Sequence, residues 1–196
     1  LNYNTNFTET VFKQQDILEL WNKFDRVSVG ASLDANWERG EVMRRGGNWN
    51  KIVANRKRML EVCPDVDFFI SATLSIMNVF NVVDFHKEWI EQGLIKAQDF
   101  HINILQDPKR YRIDVLPAEM KQRVSEQYNK HIEWLAPQDH LARAVNGFRS
   151  AITFMNATDN SELLKEFVYR TDQLDKFRNE NFFAVFPELE ELRKYA

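Results

Sequence analysis

Two hydrophobic patterns alternate over the first two thirds of this chain and limit the folds that it can adopt. Short apolar or β-branched runs, typical of buried strands, cover residues 1–4, 27–32, 66–74 and 100–105. Between them lie longer stretches whose apolar residues repeat with helical spacing. Strands separated by helices of this length predict a parallel sheet with right-handed crossovers. We therefore expect an α/β fold in which about four strands form part of a parallel (β/α) barrel.

The pattern changes after residue 110. Tyr111, Ile113 and Val115 alternate with polar residues, which predicts an extended segment. Pro117 suits the first position of a helix, and the apolar residues beyond it repeat with helical spacing. The sequence thus predicts a partial barrel over residues 1–116, followed by a helical extension over 117–196 that packs on it.

Composition narrows the classes of function. The 196 residues carry 26 Lys and Arg against 29 Asp and Glu, a net charge of −3 that argues against a nucleic-acid partner. There is no apolar run long enough to span a membrane and no charged-then-apolar leader, so we expect a cytoplasmic protein without a membrane partner. The single cysteine, Cys63, excludes a disulfide framework and any multi-thiolate metal site built by this chain alone.

Polar residues follow each predicted strand, at the edge where parallel barrels bind their ligands. The four groups are the stretches 4–6, 32–34, 75–78 and 106–107. Their small amide, hydroxyl and carboxylate side chains can form hydrogen bonds to a polar ligand. Arg44 and Arg45 precede the pair Gly46 and Gly47, and guanidinium groups on such a flexible turn can bind a carboxylate or phosphate bidentately.

The most informative pattern lies in residues 27–60. Residues 27–34 read Val-Ser-Val-Gly-Ala-Ser-Leu-Asp, and residues 41–49 read Glu-Val-Met-Arg-Arg-Gly-Gly-Asn-Trp ahead of a helix. This arrangement resembles the fourth strand and following helix of radical S-adenosylmethionine enzymes, in the branch whose barrel is followed by a SPASM or twitch-type extension. Further segments resemble the third, fifth and sixth strands and the ending of such proteins, in the same order: 4–6, 68–78, 100–116 and 174–189.

The resemblance implies a fold that binds S-adenosylmethionine. In this family a [4Fe-4S] cluster on a Cys-x-x-x-Cys-x-x-Cys loop cleaves S-adenosylmethionine reductively and produces a 5′-deoxyadenosyl radical. The present chain has neither that loop nor the Gly-Gly-Glu segment that binds the methionyl amine. We therefore expect it to be the C-terminal part of such an enzyme, inactive by itself, with the cluster held by the full-length parent.

The resemblance also assigns roles to five residues, none of them catalytic. By similarity, Ser32 and Arg44 contact the carboxylate or ribose of S-adenosylmethionine, Asp34 lies at the same rim, and Asn78 lies near the nucleoside. Asn6 is the cofactor-binding residue at the end of the first strand. Two neighbours depart from the family pattern, because Phe7 and Ala35 stand where glycine is usual.

The resemblance and the partial barrel also predict binding partners, and two other hypotheses explain the same sequence. The branch implies a peptide or protein substrate, and the unpaired edges of a partial barrel predict self-association. A second hypothesis is a non-catalytic α/β module that binds a ligand or another protein. A third is a metal-independent (β/α) enzyme that uses Asp34, Asp107 and the arginines.

Overall fold

The computed structural model describes residues 1–195, and it combines a parallel sheet with a helical C-terminal part. The strands are β1 (Asn2–Thr5), β2 (Val11–Phe12), β3 (Gln15–Asp16), β4 (Ser28–Ala31), β5 (Asp67–Leu74) and β6 (Phe100–Ile104). The α-helices are α1 (Ile17–Trp21), α2 (Trp37–Met43), α3 (Trp49–Val62), α4 (Val82–Glu91), α5 (Ala118–Leu135), α6 (Arg143–Ala157), α7 (Leu164–Arg178) and α8 (Phe182–Val185). Short 3₁₀ helices cover Lys109–Tyr111, Ile113–Val115, Ser161–Leu163 and Pro187–Tyr195.

The main sheet has four parallel strands in the order β1-β4-β5-β6. Each crossover between neighbouring strands contains at least one helix, which is the connection that parallel pairing requires. The α/β class and the four parallel strands predicted from the sequence are confirmed. A separate hairpin, β2-β3, follows β1 and pairs antiparallel.

The two faces of the sheet differ in burial, and the central strand β5 shows this residue by residue. Its even-numbered residues, from Phe68 to Leu74, are buried, whereas Phe69, Ser71 and Thr73 on the other face are only half-buried. Side chains alternate between the faces of a strand, so one face carries the helices and the other is open. We call these the packed face and the open face.

Helices α3 and α4 cover the packed face with a cluster of aromatic side chains. The ring of Trp49 lies 5.7 Å from that of Trp89 and 5.6 Å from that of Phe85, and Phe85 in turn packs on Phe100 of β6. Helix α3 begins at Trp49 because the Asn48 side chain accepts a hydrogen bond from a backbone N–H of the first turn. These contacts fix the helices over the strands whose ends form the candidate site.

The C-terminal helices continue the same core. Gly147 on α6 lies so close to Ile102 of β6 that an added Cβ would come within 3.2 Å of that side chain. The fully buried Asp114 accepts hydrogen bonds from Arg112, Thr158 and Asn160, which ties the segment after β6 to the loop after α6. None of the described helices is both long and apolar enough to cross a membrane.

One local expectation is wrong, and two local features have no counterpart in the predictions. The segment at 111–115 forms two 3₁₀ turns rather than an extended strand, because Ile113 and Val115 are both buried by tight turns of the chain. Helix α1 ends at Trp21, which leaves Phe24 exposed. The hairpin β2-β3 is unexpected, since its turn places Lys13 and Gln14 in the left-handed region without the usual Gly or Asn.

Candidate functional site

Asp34 is the centre of the polar network at the carboxyl ends of the strands. Arg44 donates to it twice, from Nε to Oδ2 at 2.7 Å and from Nη2 to Oδ1 at 3.1 Å. The backbone N–H of Thr73 donates to the same Oδ1 at 2.7 Å. The Asp34 carboxylate therefore connects the chain after β4 to β5, beyond the point where the two backbones stop pairing. With 6% exposure it is a buried, fully bonded group.

Asn78 joins this network from the turn between β5 and α4. Its Nδ2 donates to the carbonyl oxygens of Asp34, at 2.7 Å, and Thr73, at 3.1 Å. Its Oδ1 accepts from the backbone N–H of Ser75 at 2.8 Å. Asn78 is completely buried, so three of the five predicted residues form one network that links two strand ends.

The cavity beside this network is small. It is lined by Asn6, Asp34 and Arg44, among others, and its volume is about 10 Å³. A space of that size holds about one water molecule. Two of the three guanidinium nitrogens of Arg44 bond to Asp34, and the cavity beside them is too small for a ligand the size of a nucleoside.

The other two predicted residues lie outside the network. The Asn6 side chain accepts a hydrogen bond from the backbone N–H of Thr8 at 3.1 Å, which shapes the turn after β1. Within that turn Phe7 has a φ of 59° and is buried, so this residue adopts the left-handed conformation for which glycine is favoured. The Ser32 backbone N–H donates to Thr5 at 2.7 Å, extending the β1-β4 pairing.

The open face is the larger polar surface of the sheet. The residues whose side chains lie on it are Asn2, Asn4, Ser28, Asp67, Phe69, Ser71, Thr73, His101 and Asn103, and the alternation adds Ser32. Asn103 Nδ2 donates to Ser71 Oγ at 3.0 Å, so β5 and β6 are linked across this face. Most of these groups are hydrogen-bonding amides and hydroxyls.

Gly30 sets the shape of the open face at its centre. A Cβ at this position would lie 2.7 Å from Oδ1 of Asn4 and 3.0 Å from the ring of Phe69. Glycine therefore allows the Asn4 and Phe69 side chains to approach each other over β4. Phe69 also stacks on His101, with ring centroids 4.3 Å apart.

His101 is the one titratable imidazole on this face. Its Nε2 is buried and has no hydrogen-bond partner among residues 1–195. Partial burial, followed by the nearby Arg143, lowers the pKa of His101 below its usual value, so the ring is neutral at pH 7. A neutral, unbonded imidazole beside Ser71 and Asn103 adds a group that can either donate or accept.

Sequence reasoning missed the open face, although a signal for it exists. In β5 the residues Phe68, Ile70, Ala72 and Leu74 alternate with Ser71 and Thr73, and in β6 His101 and Asn103 alternate with isoleucines. A strand of a sheet covered on both faces is apolar throughout. The polar alternate positions therefore indicate an uncovered face, which attention to strand ends alone overlooks.

Metal-binding residues are sparse in the described part of the chain. No group of three or more His, Cys, Asp or Glu side chains within residues 1–195 is arranged to hold a metal ion. The single thiol, Cys63, is buried at the end of α3, shortly before the amino end of β5. Comparisons with protein-family models, curated proteins and solved structures found no match to this chain.

Proposed function

We propose that this chain is the C-terminal part of a radical S-adenosylmethionine enzyme and that its open face contributes to the S-adenosylmethionine site. The observation that carries the proposal is the polar open face of a four-stranded parallel sheet whose other face is covered by helices. In a (β/α) barrel the helices lie outside and the opposite sheet face lines the interior. An interior of amides and hydroxyls favours a polar ligand over a packed apolar core.

In this proposal some residues bind the ligand and others hold the strand ends in position. Asn4, Ser71, Thr73 and Asn103 offer donors and acceptors for a ribose or purine edge, and Phe69 offers a ring for stacking. Asp34, Arg44 and Asn78 bond to one another and to the backbone, so they act as positioning residues that hold the ends of β4 and β5 together. Ser32 adds a hydroxyl on the same side as Gly30.

The iron–sulfur cluster of the family does not fit the residues of this chain. A cluster of this type needs several thiolates that converge on it, and the chain has one cysteine, which is buried at the end of a helix. We derive no catalytic step through a cluster, and the proposal requires that its ligands come from other residues of the parent protein. A cytoplasmic location and a peptide or protein substrate are parts of the same proposal.

The direct test is the coding sequence immediately upstream of Leu1 in the native gene. The proposal expects an in-frame Cys-x-x-x-Cys-x-x-Cys segment followed by a Gly-Gly-Glu segment. A start codon directly before Leu1, with neither segment in frame, would contradict it. That result would leave the non-catalytic module as the favoured alternative, and the open face as its binding surface.

A second experiment tests the role of the open face in the full-length product. Ser71→Arg places a long cation on this face, whereas Ser150→Arg places the same side chain on the exposed surface of α6. We expect Ser71→Arg to abolish binding of S-adenosylmethionine in calorimetric titration and Ser150→Arg to preserve it. Equal affinities for the two folded variants would contradict a ligand site on the open face.

A further inference from the structure

Arg56 is a buried cation whose terminal donors are free. It lies on α3 with 7% exposure, and its guanidinium carbon lies 4.0 Å from the centre of the Phe68 ring. Nε donates to the carbonyl oxygen of Leu94 at 2.8 Å. Within residues 1–195, neither Nη1 nor Nη2 makes a hydrogen bond, and no carboxylate oxygen lies within 4.0 Å.

Among the residues that the structure describes, this arrangement leaves the positive charge of Arg56 without an ion-pair partner at contact distance, although most of the side chain is buried. Buried charges are almost always paired, because removing a charge from water without a partner is strongly unfavourable. The other arginines that the structure buries most are paired, as Arg112 is with Asp114 and Arg39 is with Glu188. Arg56 differs from them, since its stem and one face are packed while the two terminal nitrogens face a cleft.

The cleft lies at the amino ends of the strands, opposite to the network around Asp34. It has a volume of about 610 Å³, which is within the range of small-molecule sites. Arg56, Lys96 and Arg143 line it together with three aspartates, Asp65, Asp67 and Asp99. Three formal positive and three formal negative charges therefore face one space.

We infer that this cleft binds a small zwitterion of the amino-acid class, with the carboxylate on Arg56 and the ammonium group on the aspartate side. The planar fork of Arg56 matches a carboxylate bidentately. The aspartates disfavour a dianion such as phosphate and supply a counter-charge for an ammonium group. The Phe68 ring packs against one face of the Arg56 guanidinium group and holds it in one orientation. The inference is independent of the proposed function, because it uses the other end of the sheet.

The electrostatics of the cleft support this assignment. Burial lowers the pKa of Arg56 to about 10, so it remains charged at pH 7. Burial raises the pKa of the Asp99 carboxyl above its usual value. Both shifts have the sign expected for charged groups that are only partly solvated and that an added counter-charge would stabilise.

The test is a nuclear magnetic resonance titration of the ¹⁵N-labelled chain with each of the common L-amino acids. At least one amino acid is expected to shift the Arg56 Nε–H resonance saturably, with a millimolar or tighter dissociation constant. Its methyl ester, which keeps the ammonium group and removes the carboxylate charge, is expected to bind at least about tenfold more weakly. This pair of ligands tests the inference on the unaltered chain.

Two variants of the same helix sharpen the result. Arg56→Lys keeps the charge and loses the fork, so about a tenfold loss of affinity is expected. Lys57→Met, at an exposed neighbouring position, is expected to leave affinity unchanged. Absence of any saturable shift, equal binding of acid and ester, or tighter binding of inorganic phosphate than of every amino acid would overturn the inference.

Discussion

Two histidine–phenylalanine stacks of nearly the same geometry lie on opposite faces of the sheet. His86 stacks on Phe100 on the packed face and His101 stacks on Phe69 on the open face, each with centroids 4.3 Å apart. His86 and Phe100 are completely buried, whereas Phe69 and His101 are half-buried. The same combination of side-chain types thus forms part of the core on one face and part of a solvent-facing surface on the other.

The surroundings of the two imidazoles explain their different electrostatics. His86 Nε2 lies 3.1 Å from the carbonyl oxygen of Ala97, so this nitrogen carries the hydrogen, and Nδ1 accepts from His131 at 3.1 Å. Burial, with a smaller contribution from His131, lowers the pKa of His86 to about 3. Burial also lowers the pKa of His131 to about 4. Both members of this buried pair are therefore neutral over the physiological range.

The largest expected difference between the faces is in packing. Phe100→Ala should lower the free energy of unfolding by about 3–5 kcal/mol, because it leaves a cavity beneath Phe85 and His86. Phe69→Ala should cost only about 1 kcal/mol, because part of that ring already faces water. Urea denaturation of the two variants measures both values. Equal losses would mean that the open face is packed like the other.

The second effect is a pH dependence that originates on the packed face. In the unfolded chain both histidines titrate near pH 6.5, whereas in the folded chain their pKa values are about 3 and 4. Between pH 7.5 and 5.5 the unfolded state gains protons that the folded state does not. Stability should therefore fall by about 1.4 kcal/mol for each of the two histidines over this interval.

Denaturant melts at pH 7.5, 6.5 and 5.5 test this dependence (all within about one unit of the ordinary histidine pKa). His140→Gln, which replaces an exposed histidine, is the control variant for the same measurement. His131→Phe should reduce the fall in stability between pH 7.5 and 5.5 by about 1.4 kcal/mol, because one of the imidazoles whose pKa is lowered by folding is removed. A flat profile for the unaltered chain would contradict this expectation, because it would mean that the folded and unfolded states take up equal numbers of protons over this interval.

A smaller effect is expected at the carboxyl ends, where the two faces meet. Asp34→Asn keeps the shape of the side chain but removes the charge that faces Arg44 and one of its acceptors. We expect a loss of about 2 kcal/mol, since Arg44 is partly exposed and water replaces some of the interaction. Asp107→Asn, an exposed carboxylate after β6, should change the free energy of unfolding by less than about 0.5 kcal/mol.

The smallest effect belongs to the open face itself. Ser71→Ala removes the acceptor of the Asn103 amide and nothing else, and that amide can bond to water instead. The midpoint of urea denaturation should move by an amount equivalent to less than about 0.5 kcal/mol. A loss above about 1 kcal/mol would show that Ser71 supports the fold and is not simply available to a ligand.

Much of the fold could be predicted from periodicity. The four parallel strands and the helices between them follow from apolar runs that tertiary packing preserves. The 3₁₀ turns near Ile113 could not be predicted. Apolar residues at every second position occur in tight turns as well as in strands, so the pattern does not distinguish the two. The β2-β3 turn also lacks its usual sequence signal, since Lys13 and Gln14 occupy positions at which Asn or Gly is preferred.

The candidate site was less accessible to prediction. Asp34, Arg44 and Asn78 lie together at one rim in the structure, but the sequence pattern contains no information on whether Arg44 faces a ligand or a carboxylate of its own chain. That choice depends on the path of residues 35–43, which brings Arg44 back over Asp34. Arg56 reads as part of a basic run with Lys57 and Arg58, and only the packing of α3 against Phe68 separates it from them.

The parallel topology of the sheet also has a kinetic consequence. The first pairing joins Asn2 to Ser28, and the next joins Ser28 to Asp67, so neither can form until a long intervening segment has been closed into a loop. Local helix formation is fast, whereas such closures carry an entropic cost before any contact rewards them. Refolding of this chain should therefore be slow compared with that of a helical bundle of the same length.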